Sequence, residues 1–108
     1  MANSFKNYFL KNANTTSQNV YVAGAGVSAT VIGMTIGNTT SAPISANITV
    51  TSAGTSYFML QGATIATGGA LVPIGGDQKL VLEAGDFVQV QTSAANSADV
   101  IVSVLEIT

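Results

Sequence analysis

The chain has 108 residues with three Lys, no His, no Cys and a net charge of −2; 47% of its residues are hydrophobic and only 7% are charged. Three scattered lysines and no Arg cannot neutralise a phosphate backbone, so a nucleic-acid partner is excluded. The missing Cys and His remove disulfides and thiolate or imidazole metal sites. No apolar run approaches the ~18 residues that span a bilayer, and the opening residues lack the pattern of a secretion signal, so no membrane partner is expected.

Soluble domains are about 25% charged. Here Ser, Thr, Asn, Gln and Gly occupy the positions where charges usually stand, and the mean hydropathy is +0.46. Uncharged polar groups hydrate a surface only in part, so apolar surface left after folding is expected to be covered by neighbouring subunits.

In chain order, residues 1–18 read as an N-terminal arm and linker: Phe5, Tyr8, Phe9 and Leu10 precede a small polar stretch from Asn12 to Gln18. Such an arm either docks on a partner through its aromatics or forms the first strand on a sheet edge. Residues 19–108 read as a β-sandwich domain. A strand over 19–23 has Val20 and Val22 on one face and Tyr21 on the other. After the Gly24-Ala25-Gly26 turn, a strand over 28–38 places Ile32, Met34 and Ile36 on one face; Gly33 and Gly37 opposite predict a bend or close approach of another backbone.

Residues 38–43 carry turn chemistry ending in Pro43. The strand over 44–52 alternates strictly, with Ile44, Ala46, Ile48 and Val50 against Ser45, Asn47, Thr49 and Thr51, and a turn at 53–56 folds it into a hairpin with 57–61. A loop over 62–69 crosses between sheets. The strand over 70–74 is an edge strand or ends at Pro73, which cannot donate to a ladder.

Residues 75–77 turn, and 79–83 form a strand with Leu80 and Leu82 on one side. A turn at 84–86 leads into 87–92, with Val88 and Val90 on a common face. The last strand, over 98–107, is apolar on both faces: Val100, Val102 and Val104 on one, Ile101, Leu105 and Ile107 on the other. These elements make an all-β, antiparallel, jelly-roll-like sandwich of about eight strands.

Candidate chemistry is sparse. Asp77, Glu83 and Asp86 are near enough in sequence for paired-carboxylate or Ca²⁺ chemistry. Asp86 after Gly85 better suits a turn that bonds local backbone, and no Asp-rich loop is present. The Gly75-Gly76-Asp77 segment before Lys79 lacks the strand, loop and helix order of a phosphate loop. Tyr21, Tyr57, Phe58 and Phe87 could form a sugar-stacking platform, although aromatics on strands are more often core or interface. No enzyme, cofactor or metal is expected.

Several segments carry a resemblance: the opening Met1-Ala2-Asn3-Ser4-Phe5-Lys6; Thr30-Val31-Ile32-Gly33 with Asn38-Thr39-Thr40; Ile74 through Asp86; and the tail Ala98 through Glu106. Across nearly its whole length the chain resembles the small virion structural proteins of tailed bacteriophages, particularly those of marine cyanobacteria. The segment from Leu82 to Val90, with its Gly-Asp turn, is also similar to a hairpin of trimeric jelly-roll proteins of the tumour-necrosis-factor and complement-globular-head class.

The resemblance implies a β-sandwich assembled in the host bacterial cytoplasm and carried on the virion. Its leading expectation is a capsid decoration or cement subunit, a trimer bound to the major capsid protein or other virion proteins. A neck, tail or fibre component and a glycan-binding attachment module are the alternatives. The residues expected at interfaces are Phe5, Tyr8, Phe9, Leu10, Ile101, Leu105 and Ile107.

Overall fold

The structure, a computed structural model, describes residues 3–74 and 79–108. The expected turn at 75–77, Asp77 included, lies outside the described residues. Among the described residues there are nine strands: β1 (Asn3–Ala13), β2 (Gln18–Val22), β3 (Ser28–Asn38), β4 (Ile44–Ser52), β5 (Thr55–Ile65), β6 (Ala70–Ile74), β7 (Leu80–Leu82), β8 (Phe87–Thr92) and β9 (Ala98–Ile107). They form two antiparallel sheets. One runs β1-β9-β3-β6, with β7 also paired to β3, and the other runs β2-β8-β4-β5. Most connections cross from one sheet to the other, as in a jelly-roll-like sandwich, while β4 and β5 stay within the second sheet and β6 and β7 within the first.

The apolar half of each alternating pattern faces the space between the sheets. Val100, Val102 and Val104 of β9, Ala29, Val31, Met34 and Ile36 of β3, and Ile48, Val88 and Val90 of the second sheet are all buried. β9 pairs with β1 on one side and β3 on the other, so it carries the centre of its sheet. Where backbone leaves the ladders, side chains supply the missing partners. The Asn38 amide donates to the carbonyls of Ala42, Ile65 and Ala66, and its Oδ1 accepts from the Thr40 N–H and hydroxyl. That one buried residue ties the end of β3 to the β5–β6 crossover, as a satisfied buried amide must.

Several expectations are corrected. Of the two readings of the N-terminal segment, the edge strand is the one present: residues 3–13 are β1, in register with β9 from Asn3↔Ile107 to Leu10↔Val100, so the sandwich begins ahead of residue 19 and only Asn14 to Ser17 lie between β1 and β2. The reason is visible in retrospect: Lys6, Tyr8 and Leu10 alternate with Phe5, Asn7 and Phe9, a period-two pattern that pairs with β9 as any strand does. β5 extends through Ile65, which is buried, so the crossover loop is shorter than 62–69.

Bulges account for two reversals of facing. A register shift between Asn19 and Tyr21 turns Val20 and Tyr21 both inward and leaves Val22 exposed. A second shift, between Val31 and Gly33, takes Ile32 out of line with the buried Met34 and Ile36. An extra residue in one strand has this effect because every later side chain changes face. The bend foreseen at Gly33 is this bulge. The hairpin between β4 and β5 is present, turning at Ala53-Gly54 with φ of 52° and 81° as a left-handed two-residue turn requires.

Burial sets an expected contrast. Ile36→Ala in the core should cost about 2–5 kcal/mol, whereas Ile101→Ala on the open face of β9 should cost less than about 1 kcal/mol. Urea denaturation of the two variants checks this, and equal losses would contradict the assignment of inner and outer faces.

Candidate assembly surface

The ladder registers arrange the outer face of the first sheet into cross-strand rows, since residues directly opposite share a face. Phe5 lies opposite Leu105, Leu105 opposite Thr30, and Thr30 opposite Val81, giving one row across β1, β9, β3 and β7. A second row joins Phe9, Ile101 and Thr35; between them runs Asn7, Ser103 and Gly33, where the Ser103 hydroxyl donates to Asn7 Oδ1 at 2.8 Å. Ile107, opposite Asn3 and Ser28, closes the pattern at one end.

This face is open. Phe5 is 76% exposed, Phe9 71%, Val81 67% and Ile101 46%. Shallow grooves of about 230 and 210 Å³ lie beside Phe5 and Phe9 respectively, along the seam of β1 and β9. Among the registered positions of the face only Asp99 carries a charge, and Lys11 pairs with it at 3.0 Å at one end. The Asn12 backbone N–H, and secondarily Lys11, hold the Asp99 carboxyl below its ordinary range.

Five of the seven expected interface residues therefore lie together on this face: Phe5, Phe9, Ile101, Leu105 and Ile107. Tyr8 and Leu10 do not. They sit opposite the inward Val102 and Val100 and pack against the core. Val81 went unrecognised in the sequence, although the run Leu80-Val81-Leu82 is apolar on both faces, the same signal that marked β9.

Tyr8 belongs to a cluster that fastens β1 from inside. Its ring meets Tyr21 of the opposite sheet edge to face, with centroids 4.9 Å apart. Glu106 Oε2 accepts from the Tyr21 hydroxyl at 2.6 Å and the Tyr8 hydroxyl at 3.1 Å, while Oε1 meets Lys6 Nζ at 2.8 Å. The Lys6 and Tyr21 hydrogen bonds hold the Glu106 carboxyl below its ordinary value against the opposing effect of burial. Burial, reinforced by Glu106, pushes the Tyr21 hydroxyl far above the ordinary phenol range.

Other candidate groups have local roles. Asp86 Oδ2 accepts from the Glu83 N–H at 2.9 Å across the Gly85 turn, the structural role its position predicts. The sugar platform does not assemble, because Tyr21 is buried in the cluster above and neighbouring Tyr57 and Phe58 point to opposite sides of β5. No group of three or more carboxylates that could hold a metal ion occurs among the described residues.

Comparison with known proteins is consistent with this picture of the fold. No family model and no curated protein matches the chain. A solved structure from work on Bacillus endospore appendages, described as a novel family of disulfide-linked pili, is similar at a TM-score of 0.58 and 17% identity. The similarity covers 98% of this chain and 88% of that one. At that identity the likeness is one of fold, and this chain has no Cys with which to form a disulfide.

Because the folded pKa of Glu106 is depressed, its contribution to stability is present above its unfolded value, about 4.3, and is lost as pH falls through the folded value. Glu106→Gln should cost about 1–3 kcal/mol near neutrality and flatten the acid limb of a Tm-against-pH profile. Asp99, whose carboxyl is also held low, contributes a fall of the same sign. A profile unchanged by Glu106→Gln would show that the cluster does not hold β1.

Proposed function

We propose that this chain is a non-enzymatic structural subunit that uses the outer face of its first sheet to pack against a larger assembly and against copies of itself. The observation that carries the reading is the set of Phe5, Phe9, Val81, Ile101 and Leu105, aligned on a nearly uncharged face that the single sandwich leaves open. Aromatic side chains that become buried on docking are among those that dominate binding energy. The carboxylates support a non-catalytic reading, since Glu106, Asp99 and Asp86 are engaged in fastening strands and turns.

The particle we propose is a bacteriophage virion, with the chain on the head exterior as a decoration subunit. Support for this placement comes from the resemblance in the opening, central and C-terminal segments. A neck or tail position uses the same face and differs in copy number. Quantitative mass spectrometry of purified virions separates the two: copies scaling with the capsid lattice support decoration, and a number matching the tail symmetry supports the alternative. Absence of the chain from virions would refute both.

The packing role itself is tested in solution. Light scattering should find the purified chain self-associating at micromolar concentration, and Phe9→Ser with Ile101→Ser should weaken that association by about tenfold or more with little change in Tm. A monomer at millimolar concentration would overturn the reading.

A further inference from the structure

The edges of the two sheets are unequally protected. β2 has five residues and a bulge, β6 has five residues including Pro73, and β7 has three. β5 is long, but two register shifts interrupt it, and Gly62 within it has a φ of 69°. Short length, proline and bulges are the usual defences against edge-to-edge pairing. β1 lacks them from Asn3 to Leu10, where its register with β9 is unbroken.

Lysine is the other common edge guard, and β1 carries two. Neither is free to act as one: Lys6 is held 2.8 Å from Glu106 and Lys11 is held 3.0 Å from Asp99, both within the subunit's own sheet. As the terminal strand of its sheet, β1 aims the backbone N–H and C=O of every second residue away from β9, and no other described strand pairs with that side.

We infer that β1 pairs antiparallel with β1 of a second copy across a twofold axis, centred on Asn7. The inference rests on the self-association proposed above and specifies which contact performs it. An edge can always meet itself about a twofold, because such a contact is self-complementary. The register follows from the side chains. Directly opposite residues must share a face, which excludes half the registers. Centring on Lys6 would oppose two lysines, and centring on Tyr8 would set Phe5 against Lys11 and crowd two half-buried tyrosines together.

Centring on Asn7 sets Phe5 of one copy opposite Phe9 of the other, twice, on either side of an Asn7–Asn7 pair. Aromatic pairs and an amide pair are favourable cross-strand neighbours. On the inner side Lys6 lies opposite Tyr8. The product is one continuous sheet through two subunits, with the outer faces merged into a single surface of twice the width.

The absence of Cys makes this directly testable by cross-linking. Asn7→Cys should form a disulfide-linked dimer on mild oxidation, because opposite Cα atoms stand about 4.5–5.5 Å apart, within the range a disulfide accepts. Phe5→Cys alone and Phe9→Cys alone should not, since each lies four residues, about 13 Å, from its own copy. Mixing those two variants should give the cross-linked heterodimer. Asn7→Lys, at an exposed position, opposes two charges on the axis and should weaken dimerisation by about tenfold or more with little change in Tm.

Cross-linking of Phe5→Cys to itself as readily as Asn7→Cys would overturn the register. A self-associating chain whose Asn7→Cys variant stays unlinked would overturn the edge contact while leaving the packing role standing. A monomeric chain would remove both.

Discussion

A two-layer sandwich can shelter only one face of each sheet, and β9 has apolar side chains on both. Its inner valines are completely covered by the second sheet. Its outer Ile101, Leu105 and Ile107 have no layer above them, and they stand between the exposed aromatics of β1 and Val81 of β7. Burial against another sheet offers roughly 25 cal/mol per Å² of apolar surface, so leaving this face in water forgoes a large stabilisation that a neighbour can supply. The rest of the molecule is arranged around that imbalance.

β1 is where the imbalance is managed within the chain. It lies at a sheet edge, has one ladder partner and buries little of its own surface, so its attachment depends on the ladder to β9 and on the Glu106 cluster. The carboxylate is partly desolvated, which is costly unless its oxygens are fully engaged. Lys6, Tyr8 and Tyr21 engage them. Because Tyr21 comes from the opposite sheet, the same group also clasps the two layers together at the β1–β2 side.

The contacts proposed for the edge and for the face of β1 are compatible. Strand pairing uses backbone groups in the plane of the sheet, and docking uses side chains perpendicular to it. A chain with so few charges meets little electrostatic repulsion in either direction. Pairing through the edge brings Phe5 and Phe9 of two copies into one patch, which concentrates the aromatic anchors that a larger particle would receive.

Local pattern by itself determined the class of fold and most strand positions, because period-two alternation depends only on neighbouring residues. It also marked β9 as two-faced and Pro73 as an edge or strand-end residue. Facing beyond a bulge was not legible: the shifts at Val20 and Ile32 arise from pairing with β8 and β9, and the first of them decides that Tyr21 points inward. Nor could the sequence divide Phe5, Tyr8, Phe9 and Leu10 into two sets with different roles. Only the register against β9 does that, since a side chain's face acquires meaning once a second sheet lies on one side of it and nothing on the other.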